Sequence, residues 1–455
     1  MAHGGEEWHR GLMVPKGRFE KPGRFGRKFP HLRSLKSFTP EDADVLGAAG
    51  TPEAPGPMNG ADVLENDGIP AGFTFLGQFI DHDLTLDTTS SLERQNDPEA
   101  IRNFRTPAFE LDSLYGLGPA VQPYLYDADD RDLFLIPDDG VDLPRNIDDV
   151  ALIGDPRNDE NLIINQLHLA FLKFHNAVRR MPHVGSFEDA QTLVRWHYQW
   201  IVLNEFLRKT AGDAAVDAAL ARPAPDGYRE EAFMPVEFSV AAYRFGHSQV
   251  RPGYPINDGF GAGFFPADPT APKPSKEQRS DLRGGVVGPA FTVDWSRFFG
   301  DEPNVTRSLL IDTKLSPPLL NLPLTVVGPA NSGGPPRVGS LASRNLKRGI
   351  TFSLPAGETI AEFYGITPLT RDEVGDHPGM ADGTPLWFYI LKEAELAGGH
   401  SLAGVGARIV AEVFVDLLRM DSASFLGSRP GWTPTLPSAA PGNFLMADLI
   451  RIAIA

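Results

Sequence analysis

The sequence predicts a mainly α-helical fold, in which one large domain is built from helices joined by long loops. In several segments apolar residues recur three and four positions apart, as on one face of a helix, whereas the period-two alternation typical of strands is scarce. The 41 prolines and 46 glycines are spread along the chain and indicate long connections. No internal repeat is visible, so an array of stacked repeats is not expected.

Six segments have the best helical patterns, and five others, rich in turn-forming residues, are predicted to be loops. The predicted helices are 72–86, 158–181, 190–210, 235–248, 384–397 and 403–420, and the predicted loops are 43–70, 88–104, 127–149, 252–280 and 323–340. Residues 1–40 form a basic arm that we expect to pack on the acidic body, and residues 41–455 form the main domain.

The composition excludes several classes of site. The chain has no cysteine, which rules out disulfides, iron–sulfur clusters, thiolate-bound haem and cysteine nucleophiles, and which suits a protein that meets oxidants. A formal net charge of −17 argues against nucleic acid as a partner. No stretch approaches about 18 uninterrupted apolar residues, so no membrane span is expected. No signal peptide is readable, and we expect a cytoplasmic protein by default, with leaderless secretion as the alternative.

The segment GFTFLGQFIDHDLTLD, residues 72–87, has polar groups where a helix should bury apolar ones. Gln78, Asp81 and His82 stand at i, i+3 and i+4, on the face that also contains Phe75. Burying an amide, a carboxylate and an imidazole together is costly unless each has a partner. The cluster therefore indicates a ligand, a metal or a cofactor, and the alternative is a hydrogen-bonded helix start.

The segment GDPRNDENLIINQLHLAFLKFHN begins with the signature of a helix start, with Asp155 as N-cap and Pro156 in the first turn. Arg157 and Glu160 then head a stripe of apolar residues three or four positions apart. Such a pair is usually a solvated ion pair worth only about 0.3–0.5 kcal/mol. The apolar face that the two residues share favours a functional site over that alternative.

The segment PVEFSVAAYRFGHSQV ends an apolar stripe with one histidine. Pro235 suits a helix start, and Val236, Val240, Tyr243 and His247 fall on one face. A lone histidine is more often a core or capping residue than a ligand. Each of the three sites is a weak signal alone, whereas their combination is specific.

Seven segments, in this order, resemble the animal-type haem peroxidases of the peroxidase–cyclooxygenase superfamily, and most closely the cysteine-free bacterial branch. They are GRFGRKFP, DGIPAGFTFLGQFIDHDLTLD, TPAFELDSLYG, GDPRNDENLIINQLHLAFLKFHN, YRFGHSQVRPGYP, SLASRNLKRGITFSLPAGETIA and TPLWFYILKEAE, and they cover nearly the whole chain. The resemblance implies an animal peroxidase fold, with haem b between a distal and a proximal helix. It also makes residues 41–455 the catalytic domain.

The resemblance implies a role for each polar residue at the haem. His247 would bind the haem iron through one imidazole nitrogen, and Asn345 would accept the N–H of the other. On the opposite side of the haem, His82 would accept and return the peroxide proton. Arg157 would be a fixed positive charge, and Gln78 would position a water or a halide.

The resemblance also implies contacts to the edge of the haem. Asp81 and Glu160 match the two carboxylates that form ester bonds to haem methyl groups in this family, so covalent attachment is an open expectation. Asn161 stands where one member has a methionine, and no sulfonium bond is expected. Arg244 and Arg348 would pair with the haem propionates.

A calcium site is implied beside the distal helix. Asp83 lies about 100 degrees from His82 around a helix and should face another element. Matching TPAFELDSLYG to the family gives the remaining oxygen ligands, which are Thr106, the carbonyl of Ala108, Glu110 and Asp112. Glu110 stands where aspartate is commoner, and Asp112 stands where other members have serine.

The expected function is therefore reduction of hydrogen peroxide coupled to oxidation of halide, thiocyanate or small phenolic donors. One alternative is a fatty-acid dioxygenase or cyclooxygenase, which needs a tyrosine three residues before the proximal histidine. That position is Arg244 here, and Tyr243 is one residue off. Another alternative is a haem-free, calcium-stabilised binding protein on the same scaffold. A hydrolase has little support, because neither HExxH nor GxSxG occurs.

Overall fold

The chain folds mainly into helices, as the sequence predicts. The computed structural model describes residues 23–60, 64–85, 105–223, 232–266, 268, 271–300, 303–323 and 339–455, together with the backbone of short strands at 8–9, 12–13 and 102–103. The predicted loop at 88–104 lies almost wholly outside the described residues, as do most of the loop at 323–340 and most of the basic arm before residue 23.

The α-helices of the described residues are numbered in chain order. They are α1 (Pro40–Leu46), α2 (Gly72–Leu84), α3 (Asp112–Tyr115), α4 (Leu162–Arg179), α5 (Phe187–Ile201), α6 (Leu207–Ala211), α7 (Asp213–Ala221), α8 (Pro317–Leu320), α9 (Leu341–Thr351), α10 (Gly357–Tyr364), α11 (Arg371–Val374), α12 (Leu386–Leu396), α13 (Gly404–Met420), α14 (Phe425–Ser428) and α15 (Met446–Ile454). A π-helical turn, Val202–Phe206, joins α5 to α6.

The strands are short, with two to six residues each. They are β1 (Trp8–His9), β2 (Leu12–Met13), β3 (Gly23–Gly26), β4 (Glu65–Pro70), β5 (Arg102–Asn103), β6 (Phe233–Pro235), β7 (Gly253–Pro255), β8 (Gly261–Gly263) and β9 (Arg307–Leu309). β3 pairs antiparallel with β5 and parallel with β6, and the pairs β1–β2, β4–β9 and β7–β8 are antiparallel.

The core is centred on α4, which packs against α2, α5 and α15. Its interior residues are almost all buried, as expected for a helix surrounded by other helices. Phe79 of α2 stacks on Phe171 of α4 with ring centroids 4.6 Å apart. This contact fixes α2 against α4 next to the polar residues that the sequence singles out.

One helix start and one predicted loop differ from the sequence-based expectation. The helix predicted from residue 158 begins at Leu162, because Asp155 caps a short 3₁₀ turn, Pro156–Asp159, and Asn161 then caps α4. The loop predicted at 43–70 contains the end of α1 and all of β4, so that prediction was wrong at both of its ends.

The segment predicted as one helix over 235–248 is irregular. It leaves β6 as a π-helical turn, Glu237–Ala241, and continues as a 3₁₀ turn, Ala242–His247. The buried Glu237 carboxylate accepts hydrogen bonds from the backbone N–H groups of Lys28 (2.9 Å) and Phe29 (3.2 Å). The chain after β3 is thus bonded directly to the segment that ends in His247.

No helix among the residues described here has the length and apolar character needed to cross a membrane.

Candidate active site

The distal helix, α2, directs its polar residues to three different surroundings. Gln78 and Asp81 are partly exposed, His82 is buried, and Asp83 is fully buried. Asp81 accepts a hydrogen bond from the Thr85 hydroxyl at 3.1 Å. The face predicted to contain a cofactor is therefore open at Gln78 and Asp81, and it closes around His82.

His82 is held by a neighbour that sequence reasoning did not single out. Its Nδ1 lies 2.7 Å from Oδ1 of the buried Asn158. Since an amide oxygen can only accept, Nδ1 has the ring proton in this arrangement and Nε2 has a lone pair. Burial, and secondarily the charge of Arg157, lower the pKa of His82 to about 4. His82 is accordingly a neutral base at physiological pH.

Arg157 is fixed by three acceptors. Its Nη2 donates to the carbonyl oxygens of His82 (3.1 Å) and Thr85 (2.6 Å) at the end of α2, and to the Asp155 carboxylate at 2.8 Å. Its Nε also donates to Asp155, at 3.1 Å. No hydrogen bond from Nη1 to another described residue is present. The guanidinium is therefore rigid beside His82 and has one nitrogen left for a ligand.

Glu160 lies beside Gln78 at the edge of the same space. The Gln78 amide N–H donates to a Glu160 carboxylate oxygen, and its carbonyl accepts from Asn161 Nδ2 at 3.2 Å. The backbone of Asp159 and Glu160 is packed against Gly284, where a Cβ would fall 1.6 Å from the Asp159 carbonyl oxygen. Only glycine fits there, so the Glu160 backbone has a defined position.

The Glu160 carboxyl is polarised by its surroundings. About half of its side-chain surface is open (51% exposed), and its nearer oxygen lies 3.9 Å from Nε2 of His82. Desolvation by the surrounding protein, and secondarily the charges of Asp155 and Asp81, raise the pKa of Glu160 to about 7, although Arg157 opposes this. Glu160 thus titrates near neutral pH beside the lone pair of His82.

His247 stands at the end of the proximal segment with Asn345 of α9 as its neighbour. Its Nδ1 is 2.7 Å from the Asn345 amide nitrogen, and the Asn345 oxygen accepts from Arg244 Nη1 at 3.2 Å. Burial, and secondarily Arg244, lower the pKa of His247 to about 3. The imidazole is therefore neutral, which is the form that binds a metal ion. A half-turn of the Asn345 amide would present its oxygen to Nδ1.

The proximal arginines lie close together. Burial, and secondarily the charge of Arg348, lower the pKa of Arg244 to about 10, while Asp81 opposes this. The Arg348 guanidinium also lies over the Phe352 ring, 5.2 Å from its centroid. Two neighbouring cations at a buried site favour a bound anion. The charge of Asp81 raises the pKa of both His82 and Arg244, so Asp81 acts electrostatically on both groups of residues.

Three of the residues predicted to bind calcium are brought together, although each already has protein partners. Asp83 accepts from the Asp112 backbone N–H at 3.1 Å and from the Tyr198 hydroxyl at 3.2 Å. Asp112 lies 3.1 Å from Arg105 Nη1, and Glu110 is fully buried nearby. In the part of the chain that the structure describes, no three or more acidic or histidine side chains are arranged to hold a metal ion. The calcium ligands, Thr106 and the Ala108 carbonyl included, stay a prediction.

Burial and mutual repulsion dominate this acidic group. Burial, then the charge of Asp112, raise the pKa of Asp83 well above its ordinary value. Burial also raises the pKa of Asp112, against the effect of Arg105. Arg105 also lies 2.5 Å from the fully buried Asp155, which in turn holds Arg157. One chain of ion pairs therefore links the acidic group to the distal side of the site.

The sequence analysis did not predict four residues that hydrogen-bond to or pair with the site residues. They are Asn158, His168, Asn161 and Arg105. Asn158 and His168 are ten residues apart, and they meet only because a 3₁₀ turn precedes α4. Asn161 gave a local signal, since an asparagine before an apolar run is a common N-cap. Arg105 gave no signal, because its partners come from distant segments.

The chain is similar to peroxidases in part of its sequence and in its fold. Residues 125–271, which include Arg157, Glu160 and His247, match the sequence model of the animal haem peroxidase family. The fold matches peroxidase A from Dictyostelium discoideum with a TM-score of 0.58 and 17% identity, over 95% of this chain and 92% of that one. The chain is thus similar to animal haem peroxidases in the sequence of residues 125–271, about a third of its length, and to peroxidase A in its mainly helical fold.

Three further proteins are similar to all or part of the chain. A fatty acid alpha-dioxygenase from Arabidopsis thaliana matches with a TM-score of 0.59 and 14% identity, over 89% of this chain and 73% of that one. A peroxidase-like protein from Margaritifera margaritifera is 32% identical over 130 residues, or 25% of this chain. A dual oxidase from Drosophila melanogaster is 30% identical over 118 residues, or 24% of this chain. The chain spans 16% and 7% of the lengths of these two relatives.

Proposed function

We propose that this protein is a haem peroxidase that reduces hydrogen peroxide. One observation supports this above all: His82 has its Nδ1 bonded to Asn158 and its Nε2 open, next to the fixed guanidinium of Arg157. A base and a permanent positive charge, side by side, are what heterolysis of an O–O bond requires.

The residues present fit a haem group. His247 is a neutral imidazole whose Nε2 has no hydrogen bond to a described residue, and Asn345 lies at its Nδ1. For Nε2 to bind iron, Nδ1 must have the proton and Asn345 must turn its amide oxygen toward it. Arg244 and Arg348 supply two cations for the propionates. The donor set is thus one imidazole with paired guanidinium groups, which suits haem b.

Bound haem would supply the iron and the two electrons that reduce peroxide, and the donors, as they are oxidised, would later return those electrons. His82 Nε2 accepts a proton from one peroxide oxygen and gives it to the other, which leaves as water. Arg157 Nη1 orients the peroxide and stabilises the negative charge on the departing oxygen. The low pKa of His82 keeps Nε2 unprotonated at neutral pH, so the base is available before peroxide arrives.

The donors that we propose are small anions, such as halide or thiocyanate, and phenols. Gln78 is held at both ends of its amide, by Glu160 and by Asn161, and has one N–H left over. That N–H, together with the charge of Arg157, can bind an anion or a water beside His82. We further propose that Asp81 and Glu160 form ester bonds to haem, and that Asp83, Glu110 and Asp112 bind calcium.

A fatty-acid dioxygenase is the second candidate, because structures of that activity match the fold. The nearest tyrosine on the proximal segment is Tyr243, whose hydroxyl donates to the Gly77 carbonyl at 3.1 Å. The position three residues before His247 has the Arg244 side chain, which is engaged by Ser239 and Asn345. These contacts favour the peroxidase over the dioxygenase.

The test is an absorption spectrum of protein expressed with haem, before and after one equivalent of hydrogen peroxide. We expect a Soret band that shifts on peroxide addition and is lost or altered in His247→Ala. His175→Ala is the matched control, because His175 is a buried histidine whose ring bonds the Tyr115 hydroxyl and the Asp132 carbonyl instead of residues of the candidate site. Folded protein that takes up no haem would contradict the proposal, and oxygen uptake with a fatty acid but no peroxide turnover would favour the dioxygenase.

A further inference from the structure

We propose that His168, acting through Asn158, is a positioning residue that fixes the tautomer of His82 with Nε2 unprotonated. The three side chains form one hydrogen-bonded row from the core to the distal site. The consequence for catalysis rests on the proposed peroxidase function, whereas the tautomer itself can be measured without haem.

The row has two bonds of normal length. Asn158 Oδ1 lies 2.7 Å from His82 Nδ1, and Asn158 Nδ2 lies 2.9 Å from His168 Nδ1. His168 and Asn158 are fully buried, and His82 is 4% exposed. The row is therefore shielded from bulk solvent, so the hydrogen bonds within the protein decide the orientation of its side chains.

The chemistry of the amide links the two rings. An amide nitrogen only donates and an amide oxygen only accepts, so a lone pair on His168 Nδ1 requires a proton on His82 Nδ1. If the Asn158 amide were rotated by a half-turn, His82 Nδ1 would have to accept and its proton would move to Nε2. His82 could then no longer take a proton from peroxide. The orientation of one amide thus decides whether His82 is a base.

His168 is what gives that orientation its advantage. In the structure the buried Asn158 N–H has its partner in His168 Nδ1, which therefore has a lone pair. The proton of the neutral His168 ring is then on Nε2, for which no partner is present among the described residues. A residue without an acceptor at position 168 would remove the partner of this N–H, and only the half-turned amide, which donates to His82 Nδ1, would keep the N–H paired. Burial lowers the pKa of His168 to about 3, so that the ring is neutral and Nδ1 can accept.

Aromatic packing holds the two helices that contribute His82 and His168 next to each other. The ring of Phe79, one turn before His82 on α2, lies edge-to-face with His168 at 6.1 Å and stacks on Phe171 at 4.6 Å. His168 and Phe171 are one turn apart on α4. The same aromatic contacts therefore set the distance between α2 and α4, and with it the separation between His82 and His168 that Asn158 bridges.

The test uses protein labelled with ¹⁵N at histidine and prepared without haem, in which ring nitrogen shifts report each tautomer directly. We compare the wild type with His168→Phe, which keeps a ring against Phe79 but has no acceptor. His168→Asn is the rescue, because its amide oxygen can occupy roughly the place of Nδ1. His175→Phe, one heptad further along α4, is the control for loss of a buried histidine. If His168→Phe does not fold, His168→Leu takes its place.

We expect His82 to have its proton on Nδ1 in the wild type, in His168→Asn and in His175→Phe. In His168→Phe the ratio of the two tautomers should shift toward Nε2–H by about fivefold, the Boltzmann factor of one net hydrogen bond. Cyanide association with the haem-loaded variant, which needs a base at Nε2, should slow by a similar factor.

An unchanged His82 tautomer in the folded His168→Phe or His168→Leu protein would overturn the inference, as would an equal change in the His175→Phe control. A protein that binds no haem would remove the proposed function but leave the tautomer result standing. The two failures are thus distinguishable.

Discussion

Replacing Arg105 by methionine tests how the distal side of the site is held in place. Arg105 is 7% exposed, and its guanidinium lies 3.1 Å from Asp112 and 2.5 Å from Asp155. Methionine keeps much of the volume and removes the charge. In the variant, Asp112 would stand beside Asp83 and Glu110 without the Arg105 cation. Asp155 would keep only its ion pair with Arg157.

The magnitude follows from burial. Removing one partner of a buried ion pair costs about 3–5 kcal/mol, because an uncompensated charge stays behind in the protein. The loss should also depend on pH. Arg105 lowers the pKa of Asp112, which burial raises, so the folded variant binds protons more tightly than the unfolded chain. Its stability should therefore fall as pH rises, and the loss should be larger near pH 8 than near pH 5.

The assay is urea unfolding followed by circular dichroism, with chelator present and at both pH values. Arg371→Met is the matched control, because the Arg371–Asp376 pair has side chains that are 54% and 89% exposed. Such a surface pair contributes about 0–1 kcal/mol. If Arg105→Met loses no more stability than this control, or loses more at the lower pH, the reasoning is wrong.

Three further predictions concern pH, haem attachment and calcium. His197 accepts hydrogen bonds from the backbone N–H groups of Thr435 and Leu436, and burial lowers its pKa to about 4. Because the unfolded chain then binds a proton more tightly than the folded protein, the free energy of unfolding should fall below about pH 6.5, by up to about 1.4 kcal/mol per pH unit. His197→Gln should reduce that slope in acid unfolding curves, and an unchanged slope would refute the assignment. After peroxide treatment, haem should resist acid–acetone extraction from the wild type, but not from the Asp81→Asn, Glu160→Gln double variant; free extraction from both excludes ester bonds. Calcium added to chelated protein should raise the melting temperature of the wild type and not of Asp83→Asn, and equal melting curves would exclude this site.

The helical class was predictable from the sequence, because local periodicity shows which segments form helices. The stripe through GFTFLGQFIDHD predicts a helix over 72–86, and α2 spans Gly72–Leu84. The helix predicted at 403–420 is observed as Gly404–Met420. In both, the turn of about 100 degrees per residue decides which side chains share a face. That same turn separates Asp83, which faces Asp112 and Tyr198, from its neighbour His82.

The partners of those residues, in contrast, could not be read from the sequence. Asn158 reaches His82 across 76 positions of sequence, and Arg105 reaches Asp155 across 50. The irregular turns before His247 depend on bonds from Glu237 to Lys28 and Phe29, more than 200 positions away. A periodic pattern indicates which side of a helix or strand is buried. A hydrogen bond on that side depends on which other segment of the chain packs against it. The protonation states of His82 and His247 follow from that burial, and so the chemistry of the site belongs to the fold.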